Sequence, residues 1–160
     1  QSVRIVAVTK THGPAAVEAA AACGLTDVGE NKVQEALDKM AATAVPVRWH
    51  LIGHLQRNKA RHAPRFALVH GLDSPRLADA LEQAAAAAGT VLDVLVQVNV
   101  VGEDTKSGVA PDEVAPLAEH LLRCPSLRVR GAMTMAPFEA PEAVLRRCFA
   151  GARAAREALR

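Results

Sequence analysis

Tyrosine is absent from this chain, and three phenylalanines and one tryptophan complete its aromatic content. Alanine and valine must therefore carry much of the packing. No aromatic residues interleave the arginines, so the stacking platform of single-stranded nucleic-acid binders is missing. The formal net charge of +2 is also too small to imply a polyanionic partner. Cysteine occurs at positions 23, 124 and 148 only, without CxxC spacing. That pattern argues against a disulfide framework or a zinc site, and for a reducing, cytoplasmic compartment. No apolar run reaches membrane length. GxGxxG, GxSxG and HExxH are all missing, and so is any sequence repeat of 20–50 residues.

What is present is a chain of 160 residues, half of them hydrophobic, enough for one domain with a real core. Its organising stretch is Val3 to Lys10 (VRIVAVTK), apolar and β-branched until its end, as in a strand buried on both faces. A loop-like TKTHG follows, and Pro14 suits the first turn of a helix. Strand, lysine, loop, helix is the layout of a βα unit, whose chemistry gathers at the carboxyl end of the strand. Lys10 stands there. An ordinary strand-end lysine would simply hold its ammonium in water.

Further units follow in series. A helix from Pro14 to Cys23 closes at Gly24, and Leu25 to Gly29 forms a second strand. The next helix runs from about Lys32 to Ala42, with Asn31 and Gln34 resembling a capping box. Val45 to Gly53 reads as the third strand, and Leu55 to His62 as a basic helix. Phe66 to Leu72 is the fourth strand; Asp73 or Ser74 then caps a helix opened by Pro75 and ended by Gly89. Val91 to Val100, a helix from Pro111 to about Arg123, a strand from Leu127 to Met135 and a helix from Pro141 to Arg160 complete the pattern. Strands alternating with helices predict a parallel sheet. A closed barrel uses eight such units in roughly 200–250 residues, so six units fit either an open α/β sheet or a barrel with two more to come.

In the fifth strand, Leu92, Val94, Val96, Val98 and Val100 share one face, and Asp93, Leu95, Gln97 and Asn99 the other. The amides of Gln97 and Asn99 either line a mouth or satisfy each other inside a barrel. His50 and His54 have matching parity on or just past the third strand, where a packed histidine is the ordinary reading and proton transfer the sharper one. Met133 and Met135 have strand spacing and default to core. Arg57, Lys59, Arg61 and Arg65 read as a solvated basic face, and Glu103, Asp104 and Lys106 as mutually paired loop charges.

Five stretches in order along the chain resemble the pyridoxal phosphate homeostasis proteins, relatives of the N-terminal barrel of alanine racemase. They are Val6–Thr11 (VAVTKT), Gly29–Glu35 (GENKVQE), Trp49–Lys59 (WHLIGHLQRNK), Gln97–Gly108 (QVNVVGEDTKSG) and Gly131–Pro137 (GAMTMAP). The resemblance implies an α/β fold of the (β/α)8 TIM-barrel type, with about six βα units in this chain. It also implies pyridoxal 5′-phosphate held as a Schiff base on Lys10, with Asn31, His50, Asn99, Met133 and Met135 as further residues of the mouth. No metal is implied. Among the other lysines, Lys32 and Lys39 fall in an exposed helical pattern, Lys59 in a basic helix and Lys106 in a charged loop, so Lys10 alone is expected to join strand-end placement to an apolar surround.

The family's phosphate-binding stretches on its last two strands, and its N-terminal helix, have no counterpart in this sequence. A single domain belonging to a longer polypeptide is therefore expected. Racemisation needs proton donors on both faces of a bound amino acid, and the tyrosine that alanine racemase uses opposite its lysine is absent. The expectation is a monomeric carrier serving vitamin B6 homeostasis without efficient catalysis, its partners being the cofactor, amino acids and cofactor-dependent apoenzymes. A fold-type III amino-acid racemase is the alternative, and a barrel without ligand a third.

Overall fold

The alternation becomes six parallel strands and five α-helices in the computed structural model, which describes residues 3–102 and 107–159. Strands β1 (Ala7–Val8), β2 (Asp27–Glu30), β3 (Arg48–Leu51), β4 (Leu68–Leu72), β5 (Leu92–Gln97) and β6 (Leu127–Met133) lie side by side in chain order. Every pairing is parallel. Because parallel crossovers are right-handed, an order that never reverses sends all connecting helices to one face of the sheet. That is the wall of a (β/α) barrel, and the opposite face is its interior. The helices are α1 (Pro14–Ala22), α2 (Val33–Ala42), α3 (Pro75–Ala87), α4 (Val114–Leu121) and α5 (Glu142–Ala158).

The core lies between wall and helices. Leu51, Val69, Leu72, Val94 and Val96 from the strands pack with Leu77, Leu81, Val114 and Leu117 from the helices, all essentially excluded from water. A smaller cluster joins Val28 to Val17 and Ala20 of α1. The parity read from the fifth strand holds: Leu92, Val94, Val96 and Val98 are in the core, while Asp93 and Gln97 turn the other way. One irregularity matters for the interior. Val69 pairs with Val94 and Leu72 with Val96, so β4 carries one extra residue. Val69 and Leu72 both stay in the core, and His70 and Gly71 both face inward.

Several local expectations are met. Pro14 and Pro75 open their helices, Ser74 Oγ accepts the Leu77 N–H at 3.3 Å, and Gly24 and Gly89 take positive φ (79° and 63°) where α1 and α3 end. Others are corrected. The capping box at Asn31 does not form: the N-cap is Lys32 with no side-chain cap bond, and Gln34 Nε2 donates to Asp38 instead. The basic helix is a 3-10 segment, Arg57–Arg65, with Pro64 inside it, a residue that cannot donate an α-helical bond. The first strand keeps only two paired residues, because β1 has a single neighbour and Val3 and Ile5 stay exposed. The loop charges Glu103, Asp104 and Lys106 lie outside the described residues.

Candidate functional site

The carboxyl ends of the strands form one rim, and Lys10 stands on it. The β1 ladder ends where the Thr9 N–H donates to the Gly29 carbonyl at 3.1 Å, and Lys10 is the next residue. Ala7 packs in the cluster beneath α1, and the Thr9 hydroxyl reaches Glu30 on the helix side. Alternation therefore assigns Val8 and Lys10 to the inner face. Lys10 is exposed, so the expected apolar surround is not what these residues supply. Thr11 then breaks the strand direction with φ of 66°.

Among the described residues the buried lysine is Lys39, which corrects its expected place on an exposed helical face. It is 4% exposed. Its Nζ donates to the Thr9 carbonyl (2.8 Å), to Glu30 Oε1 (2.7 Å) and to Glu35 Oε1 (2.8 Å). Glu30 is fully buried and also accepts the Thr9 hydroxyl at 2.6 Å, while Glu35 accepts the Thr11 N–H at 2.6 Å. Burial alone would lower the Lys39 pKa, but the hydrogen bonds and charges of the two glutamates outweigh it and raise the pKa above its ordinary value. Lys39 is thus a fixed ammonium, unsuited to attack a carbonyl. The i,i+4 spacing of Glu35 and Lys39 on α2 was visible in the sequence; what hid the cluster was Glu30, whose partner on another element no local pattern reveals.

Asn31 follows β2 and packs its backbone against Gly53, which follows β3. With Lys32, His54, Gln56 and Lys59 it lines an open cleft of about 360 Å³ at the start of α2. His54 Nδ1 lies 3.3 Å from Asp73 Oδ2. Asn99 lies just beyond β5, where its N–H donates to the Val109 carbonyl at 2.9 Å and its Oδ1 accepts the Gly102 N–H at 3.1 Å. Gln97 Nε2 donates to the Ser107 carbonyl at 2.9 Å. Met133 is half-buried opposite Gln97 in the ladder, and exposed Met135 borders a recess with Gln97, Asn99 and Ser107. Lys10, Asn31, Asn99, Met133 and Met135 therefore belong to one rim.

His50 is set deeper, in an interior row that sequence parity only partly exposed. Its Nε2 lies 2.8 Å from Asp27 Oδ1 and its Nδ1 2.9 Å from His70 Nε2, so both ring nitrogens are engaged. Burial would raise the Asp27 pKa, but hydrogen bonds from Arg48, His50 and Thr26 bring it down to about 2. Burial, helped by the nearby His50, pushes His70 down to about 4, so His70 is neutral at pH 7. Alternation from Val69 turns His70 inward, and the β4 bulge, a tertiary feature with no signal in the sequence, then keeps Gly71 inward and returns Leu72 to the core.

Away from the rim, Asp79, His120 and Cys124 bring ligand atoms within 4.8 Å of one another on the helix side. The contact of His120 Nε2 with Asp79 Oδ1 (2.7 Å) and the Arg123 guanidinium 3.0 Å from His120 Nδ1 account for that grouping.

A family model described as alanine racemase, N-terminal domain, matches residues 1–160. A pyridoxal phosphate homeostasis protein from Pseudomonas aeruginosa is 44% identical over 151 residues, covering 93% of this chain and 66% of that protein. One from Aquifex aeolicus is 40% identical over 144 residues, covering 88% of this chain and 63% of that protein. The chain thus spans slightly less than two thirds of these relatives. The structure of PipY from Synechococcus elongatus with PLP bound superposes with a TM-score of 0.88 at 34% identity, covering 98% of this chain and 74% of that one.

Proposed function

Since the chain belongs to the alanine racemase N-terminal domain family, among the pyridoxal phosphate homeostasis proteins, we propose that it binds pyridoxal 5′-phosphate through a Schiff base on Lys10. The observation that carries this reading is the placement of Lys10: a solvent-accessible amine at the inner carboxyl end of the first strand, on the rim that gathers Asn31, Asn99, Met133 and Met135. When bound, the cofactor supplies an aldehyde that condenses with a primary amine.

The residues present fit such a group. Lys10 offers the amine, while Lys39, held as an ammonium by two glutamates, does not compete. Asn31 and Asn99 offer amides beside the rim, and Met133 and Met135 offer apolar edges. His50, with both nitrogens engaged, supports the interior wall behind Lys10. Lys32 and Lys59 add cationic character next to Asn31.

The role is storage and delivery of a reactive aldehyde in the cytoplasm, as a monomer, with amino acids and apoenzymes as the species that receive it. Efficient racemisation would need a second proton donor facing Lys10, and the two histidines that the sequence offers for proton transfer are engaged elsewhere: His50 by Asp27 and His70, His54 by Asp73. Among the described residues no helix is long and apolar enough to cross a membrane.

The test is a cofactor titration of the full-length protein followed by absorbance, beside α-proton exchange of L-alanine in deuterated water. Saturable uptake that Lys10→Ala abolishes, without exchange above background, is expected. Undiminished uptake by Lys10→Ala would defeat the assignment, and rapid exchange would replace the carrier by a racemase.

A further inference from the structure

We propose that the buried Glu30–Lys39–Glu35 cluster is the positioning device for Lys10, gripping the chain on both sides of it; this rests on the reading of Lys10 as the cofactor lysine. Thr9, immediately before, is held twice: its hydroxyl by Glu30 (2.6 Å) and its carbonyl by Lys39 (2.8 Å). Thr11, immediately after, is held once, its N–H on Glu35 at 2.6 Å. Lys39 ties the two grips together by bonding both glutamates. An ammonium has three donors, and all three are used.

Two features distinguish this cluster from ordinary core packing. Thr11 has φ of 66°, a region where a β-branched residue is an outlier, and the turn's own closing bond, from the His12 N–H to the Thr9 carbonyl, is a long 3.2 Å, so an outside hold adds to it. The Glu35 carboxylate on its N–H is that hold. Glu30 Oε2, moreover, is buried without a hydrogen-bond partner among the described residues. A buried ion pair with an orphaned oxygen is poorly suited to adding stability, since apolar side chains commonly serve as well or better. What charged partners add is direction: three acceptors fix one Nζ, and that Nζ fixes the Thr9 carbonyl.

No member of the cluster is offered as a group that touches cofactor. Lys39 and Glu30 lie on the helix side of the wall, whereas Lys10 follows on the inner face. They act through the backbone of Thr9 and Thr11, holding the strand end from which the Lys10 side chain departs.

The experiment compares Lys39→Met, Glu35→Ala and Glu35→Gln with the parent in the full-length protein. Without cofactor, amide exchange is read at Thr11 against the β5 amides, and acylation of the Lys10 amine is followed by mass spectrometry. Pyridoxal phosphate affinity is then titrated. Lys39→Met and Glu35→Ala should speed Thr11 exchange at least tenfold relative to β5, alter the Lys10 acylation rate, and weaken affinity at least tenfold. Glu35→Gln, which keeps an acceptor for the Thr11 N–H, should recover part of each loss. A purely structural role would speed Thr11 and β5 exchange together, with no recovery by Gln, and that result overturns the proposal. So does a folded Glu35→Ala protein with Thr11 exchange and Lys10 acylation within twofold of the parent. Should Lys39→Met fail to fold, Glu35→Ala still decides, because the Glu35 side chain is one quarter exposed. Absence of cofactor uptake by the parent would count against the carrier reading alone, since the exchange and acylation measurements need no cofactor.

Discussion

Gly53 lies so close to Asn31 that a β-carbon on it would stand 2.5 Å from the Asn31 carbonyl oxygen and 2.8 Å from its Cα. Those atoms are backbone, which cannot rotate away as a flexible side chain would. The ends of β2 and β3 are therefore pressed together by the absence of a side chain, and Asn31 takes its place on the rim from that contact.

Gly53→Ala should accordingly displace Asn31 and destabilise the fold by about 1–3 kcal/mol, the usual cost of overpacking a close contact. A cofactor titration measures the first effect and urea denaturation the second. Affinity should fall together with stability. A variant as stable as the parent would mean that the two strand ends separate freely.

The interior row gives a pH dependence of definite sign. His70 has its pKa depressed from 6.5 to about 4, so its contribution to stability is fully present above pH 6.5 and is lost as pH falls towards 4. A shift of that size corresponds to up to about 3 kcal/mol at roughly 1.4 kcal/mol per pH unit. Asp27, lowered from 3.8 to about 2, acts in the same direction in the next window, its contribution being lost as pH falls from 3.8 towards 2. Denaturant unfolding between pH 7 and 4 should show the parent losing stability, and His70→Asn losing distinctly less. Parallel curves for the two proteins would remove His70 from the explanation.

How much of this was legible in the sequence depended on how local each cause is. The strand–helix alternation, the Pro14 and Pro75 starts and the parity of Leu92 to Asn99 are written in neighbouring residues, and all appear in the fold. Lys10 at the end of the first strand was readable for the same reason. The burial of Lys39 was not, because its acceptors come from β2, from α2 and from the Thr9 carbonyl. Its helix looked amphipathic with charge outward, and a long-range pairing reversed that. That Val69 and Leu72, of opposite parity, both enter the core was equally hidden, since a bulge is a property of two strands in register. The capping box failed through competition: Gln34 found Asp38 one turn along α2, and the helix began without a side-chain cap.

Lys10 is exposed, so its removal should change stability by less than about 0.5 kcal/mol, the range of ordinary surface substitutions. A loss of cofactor uptake in Lys10→Ala would then report on chemistry and not on folding. Thermal unfolding of the two proteins without cofactor provides the comparison.

Borohydride reduction of the full-length protein saturated with pyridoxal phosphate, followed by peptide mapping, tests the central claim most directly. Reduction makes the lysine–cofactor bond permanent, and mapping identifies the lysine. The described alternatives differ in kind: Lys39 is a buried ammonium bonded to two glutamates, Lys32 is exposed at the start of α2, and Lys59 is half-buried in the basic 3-10 segment. The predicted result is a single major adduct on Lys10, absent from Lys10→Ala. An adduct found mainly on Lys32, Lys39, Lys59 or Lys106 would contradict it.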